Sequence, residues 1–483
     1  MDPLDLVMKA IIGVTRNYGK KVLKKDGPAP EIEQVQPSVI EGPQFNVGFS
    51  REEIMPVQKE GKTLYIAGHG SGHVMEGILT TAYVSASWID CGADKGMLWL
   101  SVDCVGMTRI EINKIRSMIM DSQVISGCQL INISATHSHS GVDTLGYWGK
   151  PFLSIPADGK DQEYMDMLMK NAVKAAEGAY LNRKPGKLFT GRTEIKDGLR
   201  AGRKFEDKHE YLTRLRFVPD DGSTETWIMN FGGHPNTLGG GNRKFSGEYP
   251  YFMREKITDE NGANVIFGIG AIGGMDVKHF NEETMDTEEG RIECVKNQGY
   301  MVADAALNIT DDRELAPSIK YIQQPFYYPV DNYVLTFLAL RHTMSFNAYS
   351  CPDSLTGIAM ESEMTYMLIG NQKILLLPGE SFVNTVYGSY TPAEKSSTGE
   401  GPEINPMPLC EICGDSEIIE FGVTNDMTGY VVPPNDFVLN KTQPFLNSTR
   451  DRFDDNHYHE TNSMGVNSQK VIADTFKSIV DRM

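Results

Sequence analysis

Four apolar segments of this 483-residue chain each run into a turn that contains a glycine and a polar side chain. In chain order, the polar side chains are His137, His139, His234, Glu380 and Tyr430. Apolar runs bounded by turn residues predict buried strands, and the helical periodicity of residues 161–179 between them indicates an α/β fold. Because binding sites of α/β sheets lie beyond the strand ends, we expect these side chains to share one site.

The first of these turns carries two histidines. His137 and His139 follow the apolar run that begins at Cys128. Side chains two residues apart on an extended segment point to the same side, so both imidazoles can face one pocket. That arrangement suits two metal ligands, or one ligand and a polar helper. The alternative is a pair of polar residues at the solvent-facing end of a strand.

Composition excludes several classes of protein. The net charge of −18 argues against nucleic acid as a partner, since phosphate binding relies on clustered lysine and arginine. Seven scattered cysteines do not form a disulfide framework, and the CxxC of Cys410 and Cys413 lacks two further ligands for a structural zinc ion. No apolar run approaches the roughly 20 residues that cross a bilayer.

The N-terminus has the pattern of an amphipathic helix. Apolar residues recur at helical spacing over residues 4–12, and lysines follow at 20–25. We expect this helix to dock on the protein body; the alternative is peripheral membrane contact through residues 4–25. Asp2 and Asp5 precede the apolar part, unlike a secretory signal, so we expect a cytoplasmic protein. Residues 26–44 are rich in proline and glutamate and indicate an extended linker.

Two histidines, a glutamate and a tyrosine form a donor set that suits zinc. Imidazole nitrogen and carboxylate oxygen are standard zinc ligands, and a site with few protein ligands leaves a position for water. Each residue also has a structural alternative. His234 would be a structural histidine, Glu380 a carboxylate at a helix N-terminus, and Tyr430 a core aromatic residue.

The segment Asn132–Gly141 resembles the Thr-His-(Thr/Ser)-His-Ser-Gly signature of the neutral, non-lysosomal ceramidase family. Further resemblances follow in the family's order, and together they extend from about residue 45 to residue 465. They lie in Phe45–Ser50, Ser101–Asp103, Trp227–Thr237, Ser246–Pro250, Leu375–Glu380, Asn425–Pro433 and His459–Ser463.

The resemblance implies a large mixed-sheet catalytic domain with a zinc site at strand ends. It implies a hydrolase that cleaves a linear amide (N-acyl) bond of a lipid or small molecule by zinc-activated water. The implied zinc ligands are His137, His234, Glu380 and Tyr430. His139 would face the substrate and protonate the leaving amine, and the family's arginine would be Arg203, with Arg200 as the alternative.

Two departures from the family pattern affect these expectations. Lys278 stands where the family carries a serine, within Met275–Phe280. We count it among the catalytic candidates, as an oxyanion donor or a carboxylate-binding group, while a salt-bridge partner is the structural alternative. No counterpart of the family's C-terminal immunoglobulin-like domain follows, which predicts two parts, residues 1–44 and a hydrolase domain of 45–483.

Other functions remain open at this point. The chain would also suit a hydrolase of a smaller, non-lipid amide or ester, or a relative that binds metal without turnover. The Lys278 substitution indicates a smaller or anionic amide. Lesser expectations concern several polar residues. We expect loop positions for His69 and His73, with substrate contact as the open alternative. We expect supporting roles for Asp103 and Asp276, and surface or pocket-rim positions for His457 and His459.

Overall fold

The computed structural model describes residues 3–92, 94–152, 155–341, 346–388 and 391–483. Its helices are α1 Pro3–Asp26, α2 Arg109–Met120, α3 Gln162–Leu181, α4 Glu248–Asn261, α5 Glu288–Leu307, α6 Tyr333–Leu340, α7 Val383–Tyr387, α8 Leu409–Ile412 and α9 Ser468–Val480. Its strands are β1 Ser38–Glu41, β2 Phe45–Glu53, β3 Gly77–Ile78, β4 Tyr83–Asp90, β5 Gly96–Val102, β6 Cys128–Ala135, β7 Lys184–Glu194, β8 Leu199–Ala201, β9 Tyr211–Pro219, β10 Thr226–Phe231, β11 Lys244–Phe245, β12 Asn264–Ile269, β13 Met275–Val277, β14 Arg313–Glu314, β15 Ser318–Pro329, β16 Ala348–Ser350, β17 Ile358–Ile369, β18 Gln372–Leu376, β19 Glu380–Ser381, β20 Ile419–Phe421, β21 Tyr430–Val431, β22 Thr449–Arg450 and β23 Asn456–His457.

Two large mixed sheets organise the described residues. The first has the order β12-β10-β9-β7-β2-β4-β5-β6, with β14 paired to β7. The second has the order β1-β15-β17-β18-β20, with β16 paired to β17. In both sheets antiparallel pairs predominate, but β5/β6, β10/β12 and β18/β20 are parallel. The predicted mixed-sheet α/β fold is therefore confirmed.

The two sheets share one apolar layer. Trp99 and Phe217 of the first sheet belong to the same buried cluster as Met367 and Phe421 of the second. The rings of Trp99 and Phe421 meet edge to face with centroids 4.6 Å apart. Fully burying a large apolar side chain contributes about 1.5–3 kcal/mol, so this layer holds the sheets together.

Helices cover the outer faces of both sheets. On the first sheet, α3 presents an apolar stripe that includes Tyr164, Leu168 and Ala172, and Asp161 caps its N-terminus by accepting the Tyr164 N–H at 2.8 Å. This helix confirms the periodicity seen in residues 161–179. On the second sheet, α9 packs against β15 and β17.

The N-terminal helix α1 lies on the second half of the structure. Met8 and Ile11 are buried, and the Arg16 guanidinium donates to the Tyr333 hydroxyl at 2.9 Å. The apolar face is thus occupied by the protein itself, as expected for a docked helix. Within the predicted linker, residues 38–41 instead form β1, because Ile40 is buried between the sheets. The boundary between residues 1–44 and the hydrolase domain of residues 45–483 stays a prediction.

Among the described helices, none is long and apolar enough to cross a membrane. Peripheral membrane contact through residues 4–25 and the cytoplasmic location both stay predictions.

The ends of β6, β10, β18 and β20 carry the polar turns noted in the sequence. The turns meet because backbone bridges join segments that are far apart in the chain. Ser134 pairs with Thr424, and Gly273 pairs with Phe382. Strand ends from both sheets therefore converge on one place.

A buried ion pair secures the end of β5 to α4. Asp103 accepts from Arg254 at 2.9 Å and from the Tyr83 N–H at 2.9 Å, and both charged side chains are buried. We expect Arg254→Met to lower the free energy of unfolding by about 3–5 kcal/mol, because it leaves the Asp103 carboxylate buried without its counter-ion. Urea denaturation measures the change.

The matched control is Lys256→Met on the same helix. Lys256 pairs with the half-exposed Asp304 at 2.7 Å, and exposed pairs contribute at most about 1 kcal/mol. Equal losses of stability in the two variants would contradict this role for the Asp103–Arg254 pair.

Candidate active site

His137 lies two residues beyond β6 with a left-handed backbone, at φ 60°. A non-glycine residue in this region costs about 1–3 kcal/mol, so the surrounding contacts must hold it there. Its Nδ1 lies 2.6 Å from the Val105 carbonyl oxygen. Because a carbonyl only accepts, Nδ1 carries the proton, and the lone pair of Nε2 faces the centre of the site.

His234 is held in the same way beyond β10. Its Nδ1 lies 3.2 Å from the Met275 carbonyl oxygen. The backbone N–H of His234 also donates to that carbonyl, at 3.0 Å. The Nε2 lone pair therefore points towards the same centre as that of His137.

Glu380 opens the short strand β19 and faces both histidines. Its Oε2 lies 3.1 Å from Nε2 of His234 and 3.3 Å from Nε2 of His137. Burial opposes ionisation of this carboxyl, but the two imidazoles hold its pKa well below the usual range. Where both Nε2 atoms carry lone pairs, the carboxylate and the two rings are all acceptors facing one point, and a bound cation would satisfy them.

Tyr430 pairs with Glu380 because β21 runs parallel to β19. Its hydroxyl lies within hydrogen-bonding reach of Glu380 and of Tyr458. Burial, followed by the negative charge of Glu380, raises the pKa of Tyr430 well above its ordinary value. A bound cation would act in the opposite direction, since it favours the phenolate.

His139 differs from the other two histidines. Its Nε2 lies 3.0 Å from Nε2 of His137, while its buried Nδ1 has no hydrogen-bond partner among the described residues. Burial, together with the neighbouring imidazoles, holds its pKa well below the ordinary value. Because Nε2 of His137 carries a lone pair, the 3.0 Å contact places the proton of His139 on Nε2 and leaves its Nδ1 as an acceptor, so His139 differs from the two carbonyl-anchored rings.

The donor set fits a metal ion. The nitrogens of His137, His139 and His234 form a buried group within 4.8 Å of one another. The 3.1 and 3.3 Å separations between Glu380 and the two anchored histidines match the edges of about 3.3 Å in a tetrahedron with bonds of about 2.0–2.1 Å. The arrangement could therefore hold a metal ion.

A cavity of about 480 Å³ opens from this group. His137, His139 and Glu380 lie at its polar end, together with Tyr430. Much of the remaining lining is apolar or aromatic, and includes Val105, Leu145, Tyr147, Trp148, Met427 and Met464. The polar end thus meets an apolar wall, as in many small-molecule sites.

Arg203 lies behind the cavity and does not line it. It is buried, donates to Glu460 at 3.1 and 3.2 Å, and approaches Nδ1 of His459 at 3.2 Å. The ring of His459 in turn packs edge-on against Tyr430, with centroids 4.7 Å apart. Arg203 therefore touches the site through His459. The alternative, Arg200, is half exposed and binds Asp276 at 2.9 Å.

Lys278 is not brought to the site. Side chains alternate along β13, so Met275 and Val277 face the interior while Asp276 and Lys278 turn outward. The Lys278 side chain is exposed and is absent from the described cavity lining. A direct catalytic role for Lys278 has no support in this position.

Several residues near the site were not identified from the sequence. Tyr458, which no sequence pattern indicated, lines the cavity. His69, for which the sequence left a substrate-contact role open, lines it too, and burial lowers the pKa of His69 to about 4. The expectation that His457 and His459 lie at the surface or rim is wrong, because both are 1% exposed. The positions of these residues depend on how the chain packs, so no local sequence pattern reveals them.

Asp103 and Asp276 have supporting positions. Asp103 neutralises Arg254, and Asp276 accepts from Asn236 at 2.8 Å. Cys410 and Cys413 are free thiols, and neither joins a metal-binding group within the described part of the chain.

No protein-family model matches the chain, and no curated protein matches it. Solved structures do. The crystal structure of neutral ceramidase from Pseudomonas aeruginosa is similar with a TM-score of 0.66 and 14% sequence identity, over 91% of this chain and 74% of that chain. A ceramidase complexed with C2 is similar with a TM-score of 0.64 and 13% identity, over 91% of this chain and 76% of that chain. The chain therefore has the neutral-ceramidase fold.

Proposed function

We propose that this protein is a zinc-dependent hydrolase that cleaves a linear amide (N-acyl) bond, as the name ceramidase implies for its structural neighbours. The observation that carries the proposal is the convergence of two carbonyl-anchored histidines and a buried carboxylate at the polar end of a cavity. A metal-bound histidine normally donates its other ring N–H to a carbonyl or carboxylate, and both of these histidines have a carbonyl in that position.

Four side chains would hold the metal: His137, His234, Glu380 and Tyr430. Bound zinc supplies a water of pKa about 7 and polarises a carbonyl oxygen. The carbonyls of Val105 and Met275 keep the two imidazoles in the tautomer that a metal requires.

The remaining steps fall to the protein's own residues. An amide nitrogen must gain a proton to leave, and His139, which lines the cavity and carries its proton on Nε2, is the group that would deliver it. The hydroxyl of Tyr458, on the same wall as Tyr430, is available to donate to an oxygen that becomes negative. The apolar wall excludes water from the other side of the substrate.

A related hydrolase of a small, non-lipid amide or ester is the second candidate. The observation that favours it is the size of the cavity, about 480 Å³, which suits a compact ligand. Comparing the hydrolysis of short-chain ceramide with that of small N-acyl amines and matched esters separates these substrates.

We expect His234→Ala to lose zinc and activity together, because it removes one of the two anchored imidazoles. Metal analysis should fall from about one zinc per chain to a small fraction of that, and kcat/KM for a short N-acyl amine should fall more than about 100-fold. Elemental analysis and steady-state kinetics on the same preparation measure both.

His279→Ala is the control, because His279 pairs only loosely with Glu282, at 3.8 Å, and is absent from the cavity lining. It should keep wild-type zinc content and kinetics. A His234→Ala protein that retains full activity, or a wild type that binds no zinc, would overturn the proposal.

A second prediction concerns Arg203. We expect Arg203→Met to lower kcat by about 10- to 100-fold while zinc content stays near wild type, because His459 and then Tyr430 lose their support. Arg203→Lys should restore part of the loss. The control is Arg200→Met at a half-exposed site. If both methionine variants behave alike, Arg203 has no positioning role.

A further inference from the structure

One buried carboxylate organises the loop that follows the two-histidine turn. Asp143 is 0% exposed, although aspartate is rarely fully buried. Its two oxygens accept five backbone N–H groups. Oδ1 accepts from Leu145 at 3.0 Å and Gly146 at 2.8 Å; Oδ2 accepts from Tyr147 at 3.0 Å, Trp148 at 2.9 Å and Gly159 at 3.1 Å.

This arrangement uses the full accepting capacity of the side chain. An ionised carboxylate has about four lone-pair sites, and bonds from N–H groups to a charged acceptor are the stronger kind. Four consecutive residues, 145–148, are wrapped around Asp143. We call residues 144–149 the Asp143 loop. Because the backbone donors of its central residues end on one side chain, its shape depends on Asp143.

The Asp143 loop forms the aromatic wall of the cavity. Leu145, Tyr147 and Trp148 all line it, and the rings of Tyr147 and Trp148 meet at 69° with centroids 5.3 Å apart. The Trp148 carbonyl is also tied to the neighbouring segment, where it accepts from Gly72 at 2.9 Å. The carboxylate touches no cavity atom itself and acts through the side chains it places.

The described cavity lining offers no basic side chain to an ionised substrate group. Among the lining residues that the structure describes there is no lysine or arginine, and the carboxylate present, Glu380, faces the histidines. A charged substituent bound away from the proposed metal would therefore lose hydration without a lysine or arginine partner among the described lining residues, which is costly. The volume of about 480 Å³ falls in the lower half of the roughly 300–1,000 Å³ that ligand sites span.

We infer that Asp143 is a positioning residue whose loop selects amides with a compact, uncharged, apolar substituent. This inference rests on the proposed amide hydrolysis and names the substrate class for that site. It replaces the expectation of an anionic amide, because the Lys278 side chain that suggested it lies outside the cavity lining.

Asp143→Asn tests the positioning role. The amide replaces one accepting oxygen with an NH₂ group, which would face backbone N–H donors and release part of the loop. For N-hexanoyl ethanolamine, we expect KM to rise at least about tenfold while kcat changes less than about threefold and zinc content is unchanged. Trp148→Ala, which removes part of the wall without touching Asp143, should give the same split between KM and kcat.

Asp158→Asn is the matched control. Asp158 follows the Asp143 loop, is exposed, and accepts a single N–H, that of Lys160 at 2.9 Å. It should leave both constants within about twofold of wild type. If Asp143→Asn and Trp148→Ala change KM no more than Asp158→Asn does, the loop does not select the substrate.

A matched pair of amides tests whether the site discriminates against a charged substituent on the substrate. N-hexanoyl ethanolamine and N-hexanoyl glycine share the acyl chain and differ in the terminal hydroxyl or carboxylate. We expect the zinc-loaded protein to prefer the uncharged amide at least about 100-fold in kcat/KM. Equal use of the carboxylate would overturn the inference, as would a strong preference for N-hexadecanoyl over N-hexanoyl ethanolamine.

Calorimetric measurement of the binding of the same two amides distinguishes failure of this inference from failure of the proposed hydrolysis. Selective binding of the uncharged amide, weakened by Asp143→Asn but not by Asp158→Asn, would support the inference even if no amide is hydrolysed. In that case the proposed hydrolysis alone would fail. Binding of both amides with equal affinity would refute the inference alone.

Discussion

The site depends on a seam of hydrogen bonds between the two sheets. The end of β6 in the first sheet is bonded to residues 423–425, which follow β20 of the second. The Ala135 N–H donates to Val423, the Ile133 N–H donates to the Asn425 side chain, and the hydroxyls of Ser134 and Thr424 lie 2.9 Å apart. The seam ends where both segments of the chain turn. It therefore brings the His137 turn close to the segment that leads to Tyr430.

Two buried charged groups near this seam lie against specific partners. Glu380 faces two imidazoles, and behind the cavity Arg203 is bound by Glu460. Removing one partner of such a pair costs more than the pair contributes, since an unpaired charge is left in a medium of low polarity. The geometry of the site is therefore fixed by groups that cannot be lost singly, which favours a preorganised centre.

Parts of the fold and site were predictable because their signals are local. The stripe of α3 and the apolar strands are visible in short windows, and the turns that end in His137 and His234 follow from strand–glycine patterns. The segments that resemble the ceramidase family, taken in their order along the chain, predicted the mixed sheet. Lys278 shows the limit of this reasoning: it stands at a matching sequence position, yet the alternation of β13 turns its side chain to solvent.

The sequence by itself determined which residues stand at strand ends and which chemical groups they offer, because strand burial and turn chemistry are encoded within a few residues. Only the tertiary structure decided that His459 and Tyr458 stand beside Tyr430, that Arg203 acts from behind, and that no described cation lines the cavity. Those facts arise where segments that are not neighbours in the sequence pack together, as Arg203 and His459 do across 256 residues. Their distances depend on how the two sheets stack and on the seam that joins them.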